Sequence, residues 1–144
     1  MPSGPSNLEN LVRAKQLNAE APDEREIANL VSRAETFLRD ARNAGNSVES
    51  RFTLAYNAAH ALALAALRSA GYRPSSAGHR RIVFQALEFT AAAPKALSLA
   101  LAQYHDRRNR IEYEGASVSA MEMTDLVKLA IELQSLLLRH LKKP

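Results

Sequence analysis

The sequence predicts an all-α protein, an up-and-down bundle of five to six helices. Apolar residues recur at the 3.6-residue spacing of a buried helix face along most of the chain. Strand signals are nearly absent, because aromatic residues make up 6% of the chain and no run of β-branched residues alternates. All five glycines lie outside the predicted helix interiors. We expect one domain at residues 7–144 after a disordered N-terminus at residues 1–6.

Two helices are predicted before the centre of the chain. A short one is expected at about residues 8–17 and a longer one at about residues 24–44, where apolar residues follow helical spacing. Asp23 and Glu26 form the pattern of a capping box at the start of the longer helix. Gly45 marks the place where that helix should end.

The next predicted helix, at about residues 48–70, is apolar nearly all round. Such a helix belongs in the middle of a bundle, and its many alanines allow neighbouring backbones to approach closely. Ser47 can cap its start, and Gly71 followed by Pro74 ends it. Its one polar stripe consists of Thr53, Asn57, His60 and Arg68.

Three further helices are predicted in the second half, at about residues 79–91, 94–113 and 120–141. A loop is expected at residues 72–78, and a proline suits the first turn of the middle helix. The last helix starts at a capping box, formed by Ser119 and a glutamate three residues later.

The composition excludes several classes of chemistry. Without cysteine the chain has neither a disulfide framework nor a thiolate metal site. The glycines are too far apart for a phosphate-binding loop, and the four histidines lack a paired metal-ligand spacing. The chain shows no secretory signal and no apolar stretch of the ~20 residues that a membrane helix requires. We therefore expect a cytoplasmic protein that uses no metal, no cofactor and no membrane.

Basic residues are unevenly distributed along this chain, whose net charge is +4. No acidic residue occurs between Glu49 and Glu88, and a second basic cluster lies at residues 107–110. The interval without acids contains Arg51, Arg68, Arg73, Arg80 and Arg81. These arginines either lie on separate solvated faces or share one surface that faces phosphate.

Arg108 is the most informative of the basic residues. Counted from Leu97 at helical pitch, Arg108 returns almost onto the apolar stripe of its helix, with Asn109 beside it. Such an arginine is directed at an apolar or interfacial surface rather than at bulk water. Two interpretations stay open: an ion pair with Glu112 one turn later, and contact with a phosphate.

The segment 104–115 resembles the signature of the HEPN family of small helical bundle proteins. In that family an arginine, often followed by asparagine, precedes a histidine by four to six residues, and Arg108 with Asn109 matches the first half. The alanine-rich central helix and the sequence at residues 71–74 also resemble small bacterial members. The resemblance covers about residues 24–141.

The resemblance implies a homodimer in which two copies of the motif face one cleft. Many HEPN proteins are metal-independent ribonucleases of toxin–antitoxin or defence modules. Others bind RNA without cleaving it, or dock on a nucleotidyltransferase. In a ribonuclease the arginine stabilises charge that develops on the phosphate, while the histidine moves the proton of the attacking 2'-hydroxyl. The expected partners are therefore a second copy of the chain, RNA and a nucleotidyltransferase-type protein.

The chain departs from the family motif at Tyr113, five residues after Arg108, where histidine is expected. A phenol with a pKa of about 10 is a poor base at neutral pH, although Tyr113 can still bind a phosphate or stack on a base. His105 is the alternative proton acceptor. In the subgroup paired with nucleotidyltransferases, a tyrosine is the target of a regulatory modification. Gly115 occupies that position here, so this regulation does not transfer. The catalytic candidates are Arg108, Tyr113 and His105, and both cleavage and mere binding of RNA stay open.

Candidate RNA contacts extend beyond the motif. The full set is Arg108, Asn109, Arg80, Arg81, His79 and Arg73. His79 and the two arginines after it open a predicted helix, where a phosphate is favourable and cations are not. A third function stays open, a small helical DNA-binding protein that uses Arg73, Arg80 and Arg81.

Two tyrosines are predicted to pack in the core, and a histidine near them has two possible roles. Tyr56 and Tyr104 lie at core spacing on their helices. His60, beside Asn57 on the polar stripe, is expected either to be a core histidine or to line the cleft near Arg108.

Overall fold

The computed structural model describes residues 4–76 and 80–142, with side chains from residue 7 onward. It confirms the all-α fold, since the described part of the chain is 74% helical. The described residues form seven helices and one short strand pair. In chain order these elements are α1 (Gly4–Arg13), β1 (Leu17–Ala19), α2 (Glu24–Ala41), α3 (Val48–Ser69), β2 (Tyr72–Pro74), α4 (Arg80–Gln85), α5 (Leu87–Thr90), α6 (Lys95–Glu114) and α7 (Ala120–Leu141). None of the helices within these ranges is both long and apolar enough to cross a bilayer.

Helix α3 lies at the centre of the bundle, as its composition predicts. It packs most extensively against α2 and then α7, and it also contacts α4, α5 and α6. Twelve of its residues are buried, and seven of these are alanines. Because alanine places only a methyl group at the contact, neighbouring helix backbones can lie close to α3 on several sides.

The predicted helix starts are confirmed at three positions. The hydroxyl of Ser47 accepts a hydrogen bond from the backbone N–H of Ser50 at the start of α3. Ser119 and Glu122 form a complete capping box at the start of α7. Asp23 caps α2, but Glu26 does not complete a capping box there, because its carboxylate accepts hydrogen bonds from arginine side chains instead.

Those arginines are Arg68, on α3, and Arg73, on the strand that follows it. Arg68 corrects the prediction of one polar stripe on α3. Arg68 is only 1% exposed, whereas Thr53 of the same stripe is exposed. The Arg68 guanidinium donates to the Glu26 carboxylate at 2.5 Å and to three backbone carbonyls at 2.7–3.1 Å, those of Glu20, Ala21 and Tyr72. It thereby joins α3 to the start of α2 and to the strand pair.

The strand pair β1–β2 is absent from the sequence-based prediction. The strands are antiparallel, with Leu17 opposite Pro74 and Ala19 opposite Tyr72. Leu17 was expected at the end of the first helix, but α1 ends at Arg13 and Lys15 has a positive φ of 62°. Three-residue strands are too short for a period-two pattern to reveal them. Their pairing depends on residues more than fifty positions apart.

Other boundaries differ by less. The predicted helix at 79–91 is divided into α4 and α5 at Ala86, and α2 ends at Ala41 rather than near Gly45. Pro94 precedes α6 as its N-cap residue, and Gly115 ends that helix with a left-handed φ of 68°. Helix α1 begins at Gly4, inside the segment 1–6 for which disorder is predicted, and residues 1–3 lie outside the described ranges.

Candidate functional site

Arg108 lies where α6 meets α3, and its side chain is 25% exposed. The centre of its guanidinium group is 5.1 Å from the centroid of the Tyr56 ring, a distance typical of a cation–π contact. Its Nε atom is buried and has no hydrogen-bond partner among the described residues. The nearest carboxylate oxygen belongs to Glu112, at 3.9 Å, on a side chain that is 53% exposed. The predicted ion pair therefore exists, but it is long and solvated and contributes little.

A hydrogen-bonded chain of side chains lies beside this guanidinium. The Tyr56 hydroxyl is 2.9 Å from Nδ1 of His105, a buried residue of α6. The other ring nitrogen of His105, Nε2, is 3.2 Å from Nδ2 of Asn109. Asn109 also accepts a long hydrogen bond of 3.5 Å from Arg108 through its Oδ1 atom. Both nitrogens of His105 are thus engaged.

Aromatic rings pack against these hydrogen-bonded side chains. The centroid of the Phe84 ring, on the six-residue helix α4, lies 6.0–6.1 Å from the ring centroids of Tyr56, His60 and His105. His60 stacks on Tyr56 at 6.3 Å between centroids. These contacts bury the polar residues against apolar carbon, so that the local dielectric constant is lower than in water.

Burial lowers the pKa of both His60 and His105, which favours their neutral forms. The pKa of His60 falls from 6.5 to about 4, first because the ring is buried and then because Arg80, His105 and Arg108 are close. Burial also lowers the pKa of His105, against an opposing contribution from Asp106. Burial raises the pKa of Tyr56, and a hydrogen bond from Arg80 opposes that shift.

Against the effect of burial, Arg80, on α4, also acts on the Tyr56 hydroxyl and lowers its pKa. Arg80 and Arg108 thus approach Tyr56 from α4 and α6, and we call these two arginines with Tyr56, His105 and Asn109 the Arg108 cluster. Within the described residues no close carboxylate neutralises Arg108, and the two histidines nearby are uncharged. The arrangement is a positive, partly desolvated site that an anion can complete.

The remaining predicted site residues are not joined to the Arg108 cluster by a described contact. Tyr113 is 85% exposed at the end of α6. Arg81 forms an ion pair of 3.0 Å with Asp106, and Arg73 lies 2.6–2.9 Å from the carboxylates of Glu20 and Glu26. His79 lies outside the described residues.

A wide cleft of about 940 Å³ lies between the α2–α3 connection and the C-terminal part of α6, and Glu112, the ion-pair partner of Arg108, lines it. Its walls include three carboxylates, those of Asp40, Glu49 and Glu112. Since these charges repel an anion, we place the candidate site at the Arg108 cluster and not in this cleft.

Sequence reasoning missed Tyr56 and Phe84 as parts of the site, because both have the spacing and character of core residues. One signal was present in the sequence. Tyr56 and His60 are four residues apart on α3, so their rings had to share a face with the polar stripe.

Comparisons of the chain with protein-family models, with curated proteins and with solved structures found no match. The resemblance to HEPN proteins therefore remains a prediction that rests on the residues quoted above.

Proposed function

We propose that the Arg108 cluster binds the phosphate backbone of single-stranded RNA, in a HEPN-like homodimer of a toxin–antitoxin or defence-like module. The observation that carries this proposal is the state of Arg108. Its guanidinium is held against the Tyr56 ring, its Nε atom is buried without a partner, and the one carboxylate that the described residues place near it is at 3.9 Å. Because that nitrogen is buried, a phosphate contacts the exposed part of the guanidinium instead, where it supplies the missing negative charge.

The position of Tyr113 supports RNA as the source of the phosphate. Tyr113 lies one helical turn after Asn109 on α6, and its ring is almost fully exposed. Four residues of helix rise by about 6 Å, a distance comparable with the spacing of nucleotides in an extended single strand. A base next to the bound phosphate can therefore stack on Tyr113, and stacking of this kind favours single strands over duplexes.

The cluster is better suited to binding than to cleavage. A general base needs a free nitrogen and a pKa near the working pH. Both nitrogens of His105 have hydrogen-bond partners, and its pKa is lowered. The proposal is therefore an RNA-binding protein with a degenerate ribonuclease motif, and the same samples used for binding should show no rapid metal-independent cleavage.

Substitution of Arg108 by alanine tests the proposal. A hydrogen bond to a charged group contributes about 1.5–3 kcal/mol, so we expect Arg108→Ala to weaken binding of single-stranded RNA by at least about tenfold. The free energy of unfolding should change by less than about 1 kcal/mol, because the cation–π contact is partly exposed. Titration of a labelled oligonucleotide and urea unfolding measure the two quantities.

The matched control is Arg110→Ala, which removes the same charge from an exposed position two residues away. It should weaken binding only slightly, through the general electrostatic attraction. Equal losses for the two variants would contradict a specific phosphate site at Arg108. A loss of several kcal/mol in stability for Arg108→Ala would assign this arginine to the fold. Equal affinity for duplex and single-stranded RNA would remove the stacking function from Tyr113.

The homodimer is a separate prediction. Helix α7 exposes Met121, Leu138 and Leu141, and the last two border a groove of about 610 Å³ that Ile27 and Val31 of α2 also line. Clustered exposed apolar side chains commonly mark interfaces. Light scattering at micromolar concentration is expected to give twice the mass of one chain, and a monomeric mass would exclude the shared cleft.

A further inference from the structure

The apolar groove between α2 and α7 continues into a charged stretch. Leu138 and Leu141 border its apolar part, of about 610 Å³, whereas Arg39 and Arg42 border a smaller hollow of about 360 Å³. Glu35 lines both, so the two spaces adjoin each other along α2. A single groove therefore follows most of α2, apolar towards the start of the helix and basic towards its end.

The charges at the two ends of this groove have opposite signs. Glu24 is the first residue of α2 and Arg42 is its C-cap residue. They are 18 positions apart, about five turns of an α-helix, so they project from the same side of α2 about 27 Å from each other. The side chains of Glu24, Glu35, Arg39 and Arg42 are all exposed, and no described residue forms an ion pair with any of them. Their charges are free to pair with another molecule.

A surface with this pattern is complementary to itself. In an interface with two-fold symmetry every contact occurs twice, because two copies of the same surface face each other. If two copies of α2 cross in antiparallel directions, the acidic end of each helix meets the basic end of the other. Ile27 and Val31, which line the apolar part of the groove, then lie near the crossing point, beside the small residues Ala28 and Ser32. A purely acidic or purely basic partner would match only one end.

We infer that a second copy of this chain occupies the groove, with its α2 antiparallel to the first and Glu24 of each copy facing Arg39 and Arg42 of the other. The second copy also covers the exposed Leu138 and Leu141. This pairing assigns a surface to the homodimer of the proposed function and does not depend on its ligand. No residue of the Arg108 cluster lines the groove, so the pairing does not occupy the phosphate site.

Charge reversal tests the pairing. Glu24→Arg with Glu35→Arg makes the charges along the groove basic throughout, and Arg39→Glu with Arg42→Glu makes them acidic throughout. Like charges that face each other across an interface are unfavourable, and here each contact occurs twice. We therefore expect the dissociation constant of the dimer to rise at least about 100-fold in each double variant. Light scattering at micromolar concentration should give the mass of one chain for either variant alone.

An equimolar mixture of the two double variants provides the rescue. In the mixed pair the introduced arginines face the introduced glutamates, so the mass of two chains should return. Two misfolded variants would not restore each other, so rescue also shows that both have kept the fold. A mixture that stays monomeric would overturn the inference, and so would a wild type that is monomeric at the same concentration.

The matched control is Arg25→Glu with Arg33→Glu, the same change of charge on the opposite side of α2, where both arginines border a different hollow. This variant should keep the mass of two chains, and its dissociation would assign the effect to net charge and overturn the inference. RNA titration of the wild type separates the pairing from the proposed function. A monomer that binds RNA through Arg108 would remove the pairing and leave the phosphate site. A rescued dimer that binds no RNA would remove the phosphate site and leave the pairing.

Discussion

Replacement of Arg68 by alanine is expected to lower the free energy of unfolding by about 3–5 kcal/mol, because it removes a fully buried side chain and leaves three backbone carbonyls without their charged donor. The Arg68 side chain is 1% exposed, and its donors bind the Glu26 carboxylate and three backbone carbonyls. The three carbonyls would lose this donor, whereas the Glu26 carboxylate would keep the hydrogen bond from Arg73. Arg68→Lys is also expected to be destabilising, because an ammonium group cannot reproduce the planar arrangement of donors. Urea unfolding measures both variants.

Arg73→Ala is the matched control for this prediction. Arg73 contacts the carboxylates of Glu20 and Glu26, which also lie 3.3 Å and 2.5 Å from Arg68, but its side chain is 36% exposed. Water can replace much of its contribution, so the expected loss is below about 1 kcal/mol. If the two alanine variants were equally stable, burial of Arg68 would not be the source of its effect.

Acid is expected to destabilise the protein through His60, by about 3 kcal/mol between pH 6.5 and pH 4. The pKa of His60 is about 4 in the folded protein and 6.5 in the unfolded chain. As the pH falls through this window the unfolded state takes up the proton first, so stability is full above pH 6.5 and decreases below it. The ring cannot protonate easily in the fold because it is buried and faces Arg80, Arg108 and His105.

The variant His60→Gln isolates this contribution. Glutamine does not titrate, so the pH profile of its stability should decline less steeply than that of the wild type in the same window. The hydrogen bond from Arg107 lowers the pKa of Glu122 to about 2, so its contribution also declines as the pH falls towards 4, but this decline is common to both proteins and cancels in the comparison. Thermal unfolding from pH 7 to pH 4 measures both profiles. Parallel profiles for the wild type and the variant would contradict a depressed pKa at His60.

Local sequence determined the helices themselves. The 3.6-residue spacing and the capping box at Ser119 located α7 to the residue, and Ser47 with Gly71 bounded α3. The same spacing directed Arg108 towards an apolar surface, where the structure has it against Tyr56. These features were predictable because residues within one or two helical turns decide them.

Only the tertiary structure decided which side chains meet. Tyr56 and His105 are 49 positions apart, and Arg68 and Glu26 are 42 apart. Arg68 and His60 belong to the same predicted polar stripe of α3. Arg68 contacts α2 and the strand pair, whereas His60 lies near Arg80. Helical spacing places a residue on one face of its own helix. The angle at which another helix crosses that face decides its partner, and that angle depends on the packing of the whole core.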